Sequence, residues 1–257
     1  MQRKGTVTKP YVETSPLHLA AQQGDLDKAK QLLANHADIN VLDNEAWTPL
    51  HHAAFHGHGN MVKLLLAAKA NLHAKDTLGV TPLHEATRGE RRLPHTDGSA
   101  HPDIVKQLLT AGANPNEKDH DGCTPLHYTA STYNLMNGIK QEEFVSMSKT
   151  LIQYGAKLEE KNKDGETPLH LAAREGWANI VTLLLSYGAK HDARNARNKT
   201  AADVGKSNDH PEMKKVIDDF LAKNKYGQFF RPVPHALVRE AYKRLDYQTT
   251  STPKPRF

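Results

Sequence analysis

The stretch HHAAFHGHGN places four histidines, His51, His52, His56 and His58, within eight residues. Imidazole is a common ligand for zinc and titrates closest to neutrality, so metal binding and proton transfer are the chemistries to test first. His52 and His56 stand four apart, a spacing that puts two rings on one helix face and can chelate a metal. Structural zinc takes four ligands, however, and neither a cysteine nor a second histidine pair lies nearby to complete the set. The chain has one cysteine, Cys123, which excludes an internal disulfide and suits a reducing compartment. A nucleophilic thiol would need a base to activate it; the nearest candidate, His127, is four residues on. No glycine-rich phosphate loop, paired-carboxylate motif or nucleophile elbow stands out. These residues argue against an enzyme, and no cofactor, metal or small-molecule substrate is expected.

Composition sets wider bounds. The 257 residues are 38% hydrophobic and 25% charged, which suits a soluble protein with a modest core. No apolar run approaches the roughly 18 residues that a membrane span requires. The opening MQRKGTVTKPYVETSPLHL is basic but lacks the apolar stretch of a secretory signal, so a cytoplasmic location is expected. The net charge of +5 is uneven: from residue 190 onward fifteen Lys and Arg face eight Asp and Glu, and the remainder is slightly acidic. An acidic partner would therefore be expected toward the C-terminal end.

The elements that must position these residues recur with a period. SPLH begins at Ser15, and TPLH begins at Thr48, Thr81, Thr124 and Thr167; a degraded copy, TAAD, begins at Thr200. The starts are 33 residues apart, except for two intervals of 43 that precede Thr124 and Thr167. Each unit reads as Thr or Ser at a helix N-cap, Pro at the first helical position, and a short helix of small residues. A turn follows, often with Gly, as at Gly24, Gly57 and Gly176. The second helix carries an apolar stripe, as in MVKLLL, IVKQLL and IVTLLL, and GA or a close variant ends it.

These motifs resemble the ankyrin repeat, whose DxxGxTPLHxAA, GHxxIVxLLL and GADxN patterns appear here with small departures. The resemblance runs over residues 14–222. It implies an all-α solenoid of six repeats, with β-hairpin fingers projecting from one edge, and a C-terminal helical extension is expected to follow. The first unit lacks a preceding finger, and the sixth has lost Pro, Leu and His, as terminal capping units do. The resemblance assigns His18, His51, His84, His127 and His170 to tying each cap together, and His58 to the turn position that Trp177 fills in the fifth unit. Most of the opening histidine stretch is thereby scaffold.

The family implies a non-catalytic module that binds a protein partner on a concave surface of finger positions and first-helix positions. Carried onto this chain, the second unit offers Leu42, Asn44, Glu45, Trp47, Phe55 and His56, and the third offers Lys75, Leu78, Val80 and Arg88. Lys118 and His120 follow in the fourth unit and Lys161, Lys163 and Arg174 in the fifth, with Arg194, Arg197 and Lys199 in the sixth. That surface runs from aromatic and apolar to basic, which fits a partner with an apolar anchor and an acidic segment. Asn40 and Asn116 match the position hydroxylated in some ankyrin proteins, each with a leucine, Leu33 or Leu109, seven residues earlier.

Residues 1–13 read as a lead-in. The two extra decapeptides fall between first and second helices of the third and fourth units, around GERRLPHTDGSAHP and TYNLMNGIKQEE, and suggest paired, lengthened helices. Residues 223–247 are expected to form a helix that caps the last unit, and 248–257, polar and proline-containing, a disordered tail. Two other readings compete with a cellular adaptor. One is an adaptor delivered into host cytosol by a bacterium or parasite, since ankyrin repeats recur in such proteins. The other is binding of anionic lipid or nucleic acid by the basic C-terminal region, which the interspersed acids and the absence of a nucleic-acid fold disfavour. A monomer is expected.

Overall fold

The computed structural model describes residues 14–88, 101–131 and 141–224. Twelve helices lie in these residues, two to each sequence unit. The first unit contributes α1 (Pro16–Gln23) and α2 (Leu26–Ala34), the second α3 (Pro49–Phe55) and α4 (Gly59–Ala67), the third α5 (Pro82–Arg88) and α6 (Pro102–Thr110). The fourth adds α7 (Pro125–Ala130) and α8 (Gln141–Gln153), the fifth α9 (Pro168–Arg174) and α10 (Ala178–Ser186), the sixth α11 (Ala201–Ser207) and α12 (Glu212–Lys223).

Local chemistry starts each first helix where the sequence indicates. Ser15, Thr48, Thr124, Thr167 and Thr200 are N-caps in extended backbone, each in a reciprocal capping box with the residue three positions on. Proline at the following position starts the helix without wasting a donor. Packing then sorts the helices into two rows: α1, α3, α5, α7, α9 and α11 touch in succession, and so do α2, α4, α6, α8, α10 and α12. Leu17, Leu50, Leu83, Leu126 and Leu169, the leucines of the recurring motif, are all buried between the rows. Burying each such side chain contributes about 1.5–3 kcal/mol. Alanines at Ala53, Ala54, Ala172 and Ala173 are fully buried too, because first helices approach closely only where side chains are small.

The turns between units depart from the expected β-hairpin fingers. Among the described residues there is no regular strand. Each finger is a tight turn closed by two backbone bonds, as in Asp76 N–H to Val80 O (2.9 Å) and Gly79 N–H to Asp76 O (3.0 Å). A single backbone bond ties each finger to the next: Thr77 to Glu45, His120 to Leu78, Lys163 to Asp121 and Ala196 to Asp164. With one bond per neighbour, no ladder forms.

α8 has 13 residues against the nine of α2, α4, α6 and α10, so the fourth unit lengthens its second helix while α6 in the third does not. The lead-in 1–13, most of both decapeptide excesses (89–100 and 132–140) and residues 225–257 of the extension and tail lie outside the described residues.

Candidate functional site

Five histidines share one geometry. In each, the ring Nδ1 accepts from the backbone N–H and lies 2.8–2.9 Å from the hydroxyl of its own cap residue, as Thr48 does for His51 and Thr81 for His84. The opposite nitrogen, Nε2–H, donates to a carbonyl at the end of the next finger: His18 to Trp47, His51 to Val80, His84 to Cys123, His127 to Glu166 and His170 to Lys199. One ring thus locks its own helix start to the following unit. Burial holds His51, His84 and His127 down at about 4, so the neutral tautomer that this geometry needs persists at neutral pH. His58 bridges the other way, its Nε2 reaching Gln22 O at 2.8 Å.

Finger geometry comes from one Asx position per unit. Asp43, Asp76, Asp119, Asn162 and Asn195 each use Oδ1 to accept the N–H groups two and four residues on, at 2.8–3.0 Å. In the three aspartates the second oxygen meets a first helix or the preceding finger. Asp43 Oδ2 accepts from His52 Nε2 at 2.8 Å, Asp76 Oδ2 from Trp47 Nε1 at 3.1 Å, and Asp119 Oδ2 from the Tyr128 hydroxyl at 2.7 Å. Burial alone would raise the Asp43 carboxyl, but bonds from His52, Trp47 and Glu45 outweigh it and hold it below its usual value.

This scaffold places the candidate partner residues. Leu42 and Leu78, on successive fingers, are 49% and 59% exposed and, with Leu19, are the exposed large apolar side chains among the described residues. Trp47 and Phe55 stack edge-to-face at 5.5 Å and are half-buried, with His56 against Phe55 at 5.0 Å. Asn44, Glu45 and His120 are exposed on the finger turns. Val80 is corrected: at 2% exposed it is buried, because the turn folds the residue before Thr81 back against the stack.

The cations form a register. Lys75 pairs with Glu117 at 3.0 Å and Lys118 with Glu160 at 2.8 Å, each also donating to the next finger's backbone. Lys161 Nζ donates to Arg194 O, Arg194 to Asn198 O and Lys199 to Ser207 Oγ, all at 2.8 Å, so these three bond neutral oxygens, while Arg194 and Lys199 also act electrostatically on Asp203. Arg197 is exposed beside them. Lys163 lies 3.4 Å from Asp121, while Arg174 is bound by the buried Glu166. Between these ends, first helices and fingers of the third to fifth units line a groove of about 490 Å³ that includes Arg88, Cys123, Tyr128, Lys163 and Arg174. Burial pushes the Cys123 thiol up to about 12, with Asp119 adding to the effect, so at neutral pH it is a poor nucleophile.

A model of ankyrin repeats in three copies matches residues 17–93, 96–195 and 135–217, well over half of the sequence. The chain belongs to the ankyrin-repeat family. A search of the curated proteins finds no match. Ankyrin repeats generally serve as protein–protein interaction modules and are typically non-catalytic. No described helix is long and apolar enough to cross a membrane.

Two further features of the ankyrin stack bear on the sequence expectations. Asn40 Oδ1 accepts from Asn71 N–H, and Asn116 bonds both Gly155 O and Lys157 N–H, so both asparagines clamp successive repeats at 2.8–2.9 Å. His101 and His210 are the residues that reading missed. Their rings sit over Gly57 and Gly176 as the ring of His58 sits over Gly24. The signal was present as a His-Pro pair before each second helix, but it is displaced by the insertion in one unit and by degeneration in the other.

Proposed function

We propose that this chain is a non-catalytic adaptor that holds one protein partner along the face shared by its fingers and first helices. The observation that carries this reading is the exposure of Leu42 and Leu78 on adjacent fingers, beside the half-buried Trp47–Phe55 pair. Exposed apolar side chains cost solubility unless something covers them, and aromatic anchors of this type dominate interface energetics. At the other end Lys161, Arg194, Arg197 and Lys199 favour an acidic segment of the same partner. Asn44, Glu45, His56, Lys75, Arg88, Lys118, His120, Lys163 and Arg174 would supply the polar rim between these ends.

The test is affinity purification from the native cell, read by mass spectrometry, followed by binding of the purified partner. Leu42→Asp with Leu78→Asp changes two exposed side chains and should leave the helical spectrum intact while weakening binding by at least ten-fold. Arg194→Glu with Arg197→Glu should weaken binding mainly at low salt, because exposed charges are screened. A partner indifferent to both pairs would place the interface elsewhere.

A further inference from the structure

We propose that His18, Asp43 and His52 form a site for a divalent transition-metal ion at the seam between the first and second repeats. One ligand atom of each residue lies within 4.8 Å of the other two. Ligand atoms around a bound zinc ion are separated by roughly 3–3.5 Å, given metal–ligand distances near 2.0–2.2 Å, so a small convergence closes the site. The pair already in contact, His52 and Asp43 at 2.8 Å, has side chains 14% and 13% exposed, which leaves an entry path.

The surroundings pre-orient two of the three ligands. Asp43 Oδ1 is fixed by the N–H groups of Glu45 and Trp47, which leaves Oδ2 to face inward. His18 is held through Nδ1 by Ser15 Oγ at 2.9 Å. Such outer contacts orient metal ligands in built sites. His52 Nε2–H donates to Asp43 Oδ2, and Nδ1 has no partner among the described residues, so no hydrogen bond at Nδ1 opposes a shift of the proton to that nitrogen. On metal binding each imidazole carries its proton on Nδ1 and offers Nε2 to the ion. For His18, Ser15 Oγ turns to accept that proton, and the bonds from the Ser15 backbone N–H and to the Trp47 carbonyl are given up.

Among the described residues, only the seam between the first and second repeats assembles this set. At the register of His52 the neighbouring repeats carry Leu19, Glu85, Tyr128 and Leu171. Two imidazoles with one carboxylate and an open fourth position suit zinc or cobalt(II), and exclude magnesium and calcium, which take oxygen ligands. The pairing differs from the helical chelate suggested by spacing: the His52 and His56 rings are stacked 6.4 Å apart, and His56 is not in the cluster.

The experiment titrates the full chain with zinc chloride by calorimetry and with cobalt(II) by visible absorption. Asp43→Asn keeps the finger acceptor, as Asn162 and Asn195 do in later repeats, and His52→Leu copies Leu19 and Leu171; far-UV spectra of both before metal addition check folding. The expected result is one ion per chain, tetrahedral cobalt bands, an affinity lowered at least ten-fold by either substitution, and no change on His56→Ala. No binding, an affinity that His52→Leu leaves unchanged (an adventitious ion only), or loss of binding on His56→Ala would overturn it.

Discussion

At the scale of single residues, buried titratable groups dictate how this protein responds to pH. The rings of His51, His84 and His127 titrate near 6.5 when unfolded and at about 4 in the stack. The unfolded chain therefore binds more protons below 6.5, and stability falls as pH drops through this window. Each ring contributes on the order of 3 kcal/mol when fully expressed, and three together rival the ~5–15 kcal/mol stability of a typical domain. Urea midpoints should therefore fall as pH drops from 6.5 toward 4; midpoints unchanged across that window would show that these rings are not held neutral in the stack. Glu85 works in the opposite direction. It is fully buried, one oxygen lies 3.4 Å from Arg88, and the other has no partner among the described residues. Burial raises its carboxyl from 4.5 to about 7, so the folded state favours the protonated form and loses stability as pH rises from 4.5 to 7. Glu85→Gln supplies a neutral side chain of the same size and should stabilise the protein at pH 8, by up to ~3 kcal/mol. Urea midpoints of both forms at pH 5 and 8 would check this, the gap closing at the lower pH.

At the scale of the element, the fingers show what the sequence discloses and what it conceals. The caps were legible because each depends on residues three apart within TPLH, and local spacing survives translation into structure; the reach of each ring to the next finger spans 29–39 residues and followed only from the family resemblance. The Asp43–His52 bond was not legible, since its partners are nine residues apart and meet only after the turn folds back. Val80 was misread for the same reason: variability along the motif says a position is free of the cap, not that its side chain faces water. The turn itself demands a left-handed residue three after each Asx, and Gly79, Gly122 and Gly165 meet that demand at φ between 70° and 78°. Ala46 occupies the equivalent position at φ 61°, where an L side chain costs about 1 kcal/mol. Ala46→Gly should therefore stabilise the chain by about 0.5 kcal/mol after the larger entropy of an unfolded glycine is deducted. Gly79→Ala should do the reverse and cost about 2 kcal/mol, because its Cβ would also lie 3.0 Å from the His120 backbone nitrogen. Chemical denaturation of the two variants should move the midpoint in opposite directions, and equal signs would show that the turn does not set the energy.

At the scale of the whole molecule, the main contacts among the described helices join each repeat to its neighbours, so cooperativity depends on every seam being strong. The seam between the fourth and fifth repeats relies on an aromatic pair, with Trp177 at the turn position that His58, His101 and His210 fill elsewhere. Phe144 on the long α8 meets Trp177 edge-to-face at 5.3 Å, and both are essentially buried. This contact helps to join a half with the apolar anchor to a half with the basic fingers, so a partner spanning both depends on it. Removing the ring in Phe144→Ala should cost about 3–5 kcal/mol, through lost burial and the cavity left behind. In a linear array that loss falls mainly on one interface, and the flanking repeats then unfold at different denaturant concentrations. Unfolding of the parent followed by circular dichroism should show one transition and Phe144→Ala two, with binding of a spanning partner restoring one. A single transition merely displaced to lower denaturant would mean that the remaining contacts between α7 and α9 and between α8 and α10 suffice to couple the halves.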